Sequence, residues 1–202
     1  MSAEEERFLK DYVPREYPSV ALAVDLVVFA VTGSTLNAAF VRRGDHPFKD
    51  ALALPGGFVL PDEDALTAAW RELEEETGLD LGEHRAHVEQ LATFSSPKRD
   101  PRMRVVSVAH LALLATDGRT LPDLATGSDA AAAEWLPVYN VLADGDLAFD
   151  HRDILAAALA RLAGKIEYTL TASRLLPEEF TLNQLRRVYQ AVWNTARLDA
   201  GN

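Results

Sequence analysis

The sequence predicts a layered α/β domain through about residue 164, followed by a shorter segment, residues 165–202, of different character. Three observations predict it. β-branched and aliphatic runs alternate with helical patterns and breakers, an arrangement whose apolar faces are buried only when sheet and helix pack in layers. The 202 residues are 48% hydrophobic and 25% charged, enough for the core of one large domain with an appendage. Charge is divided unevenly: 13 Lys+Arg stand against 26 Asp+Glu up to residue 150, a balance of −13, and 7 against 5 beyond it, a balance of +2. An acidic body repels phosphate polymers and suits divalent cations. The last quarter has the opposite sign, as a second module would.

The elements follow in order. Val20–Val31 and Thr35–Arg43 flank Thr32-Gly33-Ser34 and read as a β-hairpin. The first run has 12 residues and contains Asp25, well short of the about 20 that cross a bilayer, so it reads as a buried strand. Asp25 itself, with Ala21 and Ala23 on its face, reads as a hydrogen-bonded core acid. After the loop Gly44–Pro47, Leu52–Leu54 and Phe58–Leu60 read as short strands bent around Pro55-Gly56-Gly57. Asp64–Thr77 is a helix closed by Gly78, a residue suited to the left-handed C-cap. Val88–Phe94 and Val105–Leu114 are strands joined by the polar loop Ser95–Arg104. Ala132–Leu136 is another strand, Pro137 starts a helical turn, and Ile154–Leu162 is a helix opening near Asp150 or Asp153. A last helix begins at Thr181, whose T-x-x-Q box with Gln184 is joined by a Phe180–Leu185 staple. Leu182, Leu185, Val188, Tyr189 and Val192 recur at helical spacing, with Arg186 and Arg187 at one edge.

Some chemistries are excluded at once. With no cysteine there is no thiol nucleophile, thiolate metal site or disulfide. The 5 histidines lack metal-ligand spacing, and His84 and His87 read as surface residues. The acidic start Met1–Glu6 is no signal peptide. A soluble, cytoplasmic protein without membrane contact is expected.

The Asp64–Thr77 helix carries the chemistry. Glu72, Glu75 and Glu76 stand at i, i+3 and i+4 and share one helix face. Like charges at that spacing oppose the helix by roughly 0.2–0.5 kcal/mol per pair, and only Arg71 offsets them. Helix physics does not reward such a cluster, whereas a hard divalent cation does. Upstream, Gly57 is followed after five residues by Glu63 and after seven more by Arg71-Glu72-Leu73-x-Glu75-Glu76-x-Gly78-Leu79. At roughly 5% usage per fixed residue, chance agreement is below about one in a billion, which rules out a merely solvated acidic face.

This G-x5-E-x7-R-E-U-x-E-E-x-G-U pattern (U aliphatic) is the complete Nudix box, and on it the chain resembles the Nudix hydrolases. The resemblance implies an αβα sandwich with a mixed sheet and hydrolysis of a nucleoside diphosphate linked to another moiety. It implies that Glu72, Glu75 and Glu76, with the Gly57 carbonyl, bind Mg²⁺ (or Mn²⁺), that the three glutamates are catalytic, and that Gly57, Glu63, Arg71 and Gly78 are structural. Glu134 and Asp129 are candidate bases outside the box. Phe94 through Arg104 resembles a segment of ADP-ribose pyrophosphatases, which makes Phe94, Arg102 and Arg104 candidate substrate contacts, the two guanidiniums matching phosphate oxygens. Met103 stands where such proteins usually carry glycine, and Leu52 where they carry tryptophan.

Leu175–Leu182 and Leu185–Tyr189, with Val24-Asp25-Leu26 and Arg102–Ala109, resemble the Nudix-related transcriptional regulators of NAD metabolism. Those proteins continue past the position of Leu198–Asn202 into a basic stretch. This resemblance implies that residues 165–202 form a partial winged-helix-like module, that the chain is a homodimer, and that DNA is a possible partner besides a nucleoside diphosphate-linked small molecule. The leading expectation is a Mg²⁺-dependent hydrolase acting on ADP-ribose; the alternative is an ADP-ribose-sensing regulator of DNA.

Overall fold

The computed structural model describes residues 1–12, 18–83, 86–125 and 130–194. His84, Asp129 and Leu198–Asn202 lie outside the described residues. In chain order the elements are helix α1 (Ala3–Asp11); strands β1 (Ala21–Thr32), β2 (Thr35–Arg43), β3 (Leu52–Ala53) and β4 (Gly56–Phe58); helix α2 (Ala65–Thr77); strands β5 (His87–Phe94), β6 (Val105–Leu113) and β7 (Ala130–Pro137); helices α3 (Val138–Asp144) and α4 (His151–Tyr168); a 3-10 helix at Leu170–Leu175; and helix α5 (Leu182–Trp193).

The sheet is mixed. Its order is β3-β2-β1-β6-β5, with β4 against β1 and β7 against β2. The β1–β2 hairpin closes with Thr32 opposite Thr35, and Gly33 takes the left-handed backbone (φ 58°) that the turn requires. β1 also runs parallel to β6, so both of its edges are paired and its residues are buried almost throughout. Alternate side chains then serve two layers. Val27, Phe29, Leu36, Phe40, Leu111 and Leu113 face α4 and α5, while Leu26, Val28, Ala112 and Leu114 face Leu73 of α2. The result is the αβα sandwich expected from the box.

Several elements differ from the expectation in informative ways. The second glycine-flanking strand is Gly56–Phe58 rather than Phe58–Leu60: the glycines form the strand, because a Cβ at Gly56 would stand 2.2 Å from the Val24 carbonyl oxygen of its partner β1. The acidic start forms α1, capped by a reciprocal Ser2–Glu5 box (2.6 and 3.2 Å), an S-x-x-E signal present in the sequence. α4 runs unbroken through residue 164, and Leu175, Leu176, Val188, Ala191 and Val192 lie in the same core as Phe29 and Phe40. Among the described residues, then, neither a break in secondary structure nor a separate core marks position 164. The Thr181–Gln184 capping box of α5 is formed as expected. No helix among the described residues is long and apolar enough to cross a membrane.

Candidate active site

α2 is positioned from both ends. The Asp64 carboxylate caps it by accepting from the Thr67 amide at 2.8 Å, and Gly78 closes it at φ 68°. Ala68, Ala69 and Leu73 are buried beneath it, which turns the glutamate-bearing side toward β4. There Gly57 lies so close to Glu72 that a Cβ would stand 2.3 Å from Oε1; only a residue without a side chain lets the carboxylate rest against the strand. The Gly56 amide donates to Glu76 at 3.0 Å. Arg71 ties loop, strand and helix together. It donates to both oxygens of Glu63 (2.6 and 3.1 Å), to the Phe58 carbonyl (3.2 Å), to Glu72 (2.8 Å) and to Glu75 (3.1 Å).

One guanidinium does not neutralise this face. Burial pushes the Glu76 carboxyl up to about 8; the Gly56 amide opposes the rise, and Glu72 and Asp25 add to it. Burial also pushes Glu72 up against the pull of Arg71. A cluster that resists its own ionisation, built of hard carboxylate oxygens around a strand with no Cβ in the way, matches the donor chemistry of a divalent cation. Among the described residues no three such side chains converge closely enough to enclose an ion on their own. A hard cation that shares its shell with phosphate oxygens and water needs fewer protein oxygens.

Glu76, Gly56 and Gly57 open onto a cavity of about 440 Å³, within the usual range for small-molecule sites. The same cavity is lined by Arg42, Arg43, Arg99 and Arg102 and by a buried cluster around Asp25, the β1 residue that pairs with Gly56. Asp25 accepts from Ser107 (2.5 Å) and Arg99 (2.9 Å), and His151 Nε2 stands 3.2 Å away. The Leu54 amide donates to His151 Nδ1 at 2.9 Å, so the ring proton sits on Nε2 and faces Asp25. Burial alone would raise the Asp25 carboxyl, but His151, Ser107 and Arg99 outweigh it and hold the group down at about 2. Asp150 takes Arg99 from the other side, through Nε (3.0 Å) and Nη2 (2.7 Å). With its carboxylate thus engaged, Asp150 stands at the N-cap of α4 without a side-chain capping bond.

The other expected site residues separate. Arg102 lines the cavity and is held bidentately by Asp100 (3.1 and 2.8 Å), its guanidinium 5.6 Å from the Phe58 ring. Arg104 instead donates to the carbonyls of Ser95 (2.9 Å), Ser96 (3.1 Å) and Val105 (3.2 Å), fastening the loop, and is absent from the cavity wall. Phe94 lines a second, adjoining cavity. Glu134 lies on β7 opposite Phe40, paired with Arg42 at 2.9 Å and off the cavity wall. Asp25 is the buried hydrogen-bonded acid expected, and it also reaches the cavity. Arg43, Arg99, Phe149 and His151 were not legible as site residues. The resemblance over Phe94–Arg104 pointed to this loop, but through Arg102 and Arg104 rather than Arg99.

Comparisons with known proteins identify the family. Residues 21–158 match the family model of the NUDIX domain. The chain is 35% identical over 192 residues (94% of this chain, 73% of that protein) to the ADPR responsive transcriptional repressor NtrR of Acinetobacter baylyi. It is 37% identical over 150 residues (74% of this chain, 78% of that protein) to the ADP-ribose pyrophosphatase of Methanocaldococcus jannaschii. The crystal structure of a MutT/nudix family protein from Enterococcus faecalis superimposes with a TM-score of 0.82 at 30% identity, covering 96% of this chain and 82% of that one. By its box, its fold and its relatives, the chain belongs to the NUDIX domain family.

Proposed function

We propose that this protein is a divalent-cation-dependent pyrophosphohydrolase that cleaves the diphosphate of a nucleoside diphosphate derivative, with ADP-ribose, yielding AMP and ribose 5-phosphate, as the substrate. One observation carries the proposal: a single cavity is lined both by Glu76 of α2, a carboxyl that burial pushes up, and by Arg42, Arg43, Arg99 and Arg102, the acidic and basic groups that a divalent cation and a diphosphate call for. Glu72, Glu75, Glu76 and the Gly57 carbonyl would hold Mg²⁺, with Mn²⁺ as the substitute. Bound there, the ion supplies charge neutralisation at the phosphate oxygens and acidifies a water. The chain's own residues do the rest. Arg71 and Glu63 hold α2 against β4. Arg43 and Arg102, which line the same cavity, orient the phosphates. Water attacks phosphorus, the bridging P–O bond breaks, the departing phosphate keeps that oxygen, and the water's proton passes to a box carboxylate. Asp25, engaged by three donors, is committed to positioning Arg99 and His151, while Glu134, in an exposed pair with Arg42 and off the cavity wall, is the candidate base outside the box.

The test is incubation with ADP-ribose and Mg²⁺, following release of AMP and ribose 5-phosphate, with a chelator control. Metal-dependent turnover supports the proposal; binding without turnover shifts the assignment to the second reading. That reading, an ADP-ribose-sensing repressor, is favoured by the similarity to the Acinetobacter repressor, which extends over 94% of the chain and so reaches α5, where Arg186 and Arg187 are exposed. It predicts a homodimer in solution and a gel shift whose log K falls linearly with log salt.

A further inference from the structure

The four arginines of the cavity are neutralised unequally. Arg99 meets Asp25 and Asp150, Arg42 meets Glu134, and Arg102 meets Asp100. Arg43 is half-buried and has no ion pair among the described residues; its Nε donates to the Pro47 carbonyl at 2.8 Å. We propose that Phe149 is a positioning residue for phosphate recognition, its ring holding the like-charged Arg43 and Arg102 guanidiniums together at the cavity so that both reach one anionic group. The assignment deepens the hydrolase reading of the cavity and rests on it.

Three features carry it. The first is the reach of the ring. The Arg43 Cζ lies 4.9 Å from the Phe149 centroid and the Arg102 Cζ 5.8 Å, both within the about 6 Å over which a cation is drawn to an aromatic face. A guanidinium that stacks by its face keeps its in-plane N–H donors for phosphate oxygens. The second is the repulsion that the ring offsets. Burial, and after it the Arg102 guanidinium, push the ionisation of Arg43 down from its ordinary value. Asp100 fixes Arg102 bidentately, so any separation of the two charges falls to Arg43, whose hydrogen-bond partner is a neutral carbonyl. An aromatic quadrupole attracts both cations, whereas a further carboxylate would compete with the ligand for the same donors. The third is that the ring itself is held. Phe48 meets it edge to face (centroids 4.8 Å apart, 63° between planes), and the His151 ring lies 5.4 Å away. The Phe149 backbone is left-handed (φ 52°), uncommon for a bulky aromatic residue. Its neighbours keep it there: the Ala148 amide donates to the Leu52 carbonyl at 2.8 Å, and the Asp150 carboxylate grips Arg99. A backbone outlier fixed from both sides points to function rather than to local stability.

The experiment is calorimetric titration of the full chain with inorganic pyrophosphate, a chelator present, in proteins carrying phenylalanine with one, two or three ring fluorines at position 149. Fluorine withdraws negative charge from the ring face and barely changes its shape, so a merely structural role would leave the series flat. The expected result is a stepwise loss of pyrophosphate affinity that reaches about tenfold with three fluorines, matched by a similar loss in Phe149→Leu. Equal affinity across the fluorinated series, or no pyrophosphate binding by the wild type, overturns the assignment. ADP-ribose turnover measured on the same wild-type sample separates the failures. Turnover with fluorine-insensitive pyrophosphate binding defeats the role of Phe149 alone, and fluorine-dependent binding without turnover defeats the hydrolase reading alone.

Discussion

Asp25 and Glu76 open onto the same cavity and carry the same functional group, yet the protein treats their charges in opposite ways. Asp25 is surrounded by donors from β6, from the loop after β5 and from α4, and is held ionised at about 2. Glu76 has one backbone donor, faces Glu72 and Asp25, and is pushed up to about 8. A carboxylate whose charge the protein itself satisfies serves to position its neighbours, here Arg99 and His151. A carboxylate left short of positive charge marks where charge from outside is to be received. The two carboxylates, set on either side of Gly56, therefore have different work, and substitutions should separate them.

The largest effect is expected at the starved carboxylate. Glu76→Gln should lower Mg²⁺-dependent turnover on the order of 10³-fold, several kcal/mol of transition-state stabilisation, without lowering the urea midpoint. Unchanged rates would remove Glu76 from the metal set. At the satisfied carboxylate the balance reverses. Asp25→Asn removes the charge that Arg99 and His151 are arranged around, and should cost about 3 kcal/mol in urea unfolding while turnover per folded molecule falls by less than about tenfold. Gly57→Ala lies between the two: the new methyl meets Glu72 Oε1 at 2.3 Å, so the carboxylate has to move. Turnover should drop about 10–100-fold with little change in Tm.

The pH dependence sharpens the contrast. Because the folded pKa of Asp25, about 2, lies below its ordinary 3.8, the stability it contributes is present above pH 4 and is lost as pH falls from about 4 toward 2. The stability gap between wild type and Asp25→Asn should therefore narrow by about 2 kcal/mol across that window. A gap constant with pH would show that the cluster does not depend on the Asp25 charge. The smallest effect is expected at Glu134→Gln. Its pair with Arg42 is exposed and worth about 0–1 kcal/mol, and turnover should stay within about twofold. A large loss there would assign the base to Glu134.

The surroundings of Glu76 were legible in the sequence and those of Asp25 largely were not, for a physical reason. The box is contiguous: helix spacing places Glu72, Glu75 and Glu76 on one face, and Asp64 and Gly78 cap that helix as residues of their type do. The Asp25 cluster is assembled by the sheet. Arg99 reaches Asp25 across 74 positions, and His151 meets the Leu54 amide across 97, distances over which residue spacing carries no signal. Arg102 and Arg104 are alike in sequence, but Asp100 holds one at the cavity while two loop carbonyls and that of Val105 in β6 hold the other away from it. Glu134 is an acid on β7, a strand paired only with β2 among the described residues, and that pairing sets it beside Arg42. The charge change near residue 150 is real in the sequence, yet α4 and α5 contribute to the main core, since an amphipathic helix buries its apolar face wherever a sheet face is open.

The central claim is that the α2 carboxylates receive a cation-bridged diphosphate, and it is tested most directly by titrating Mg²⁺ into wild type and Glu76→Gln with ADP-ribose saturating while AMP release is followed. Saturable, chelator-reversible turnover in the wild type, lost in a folded Glu76→Gln, is the result predicted. Turnover that persists without divalent cation, or that is equal in the two proteins, would contradict it.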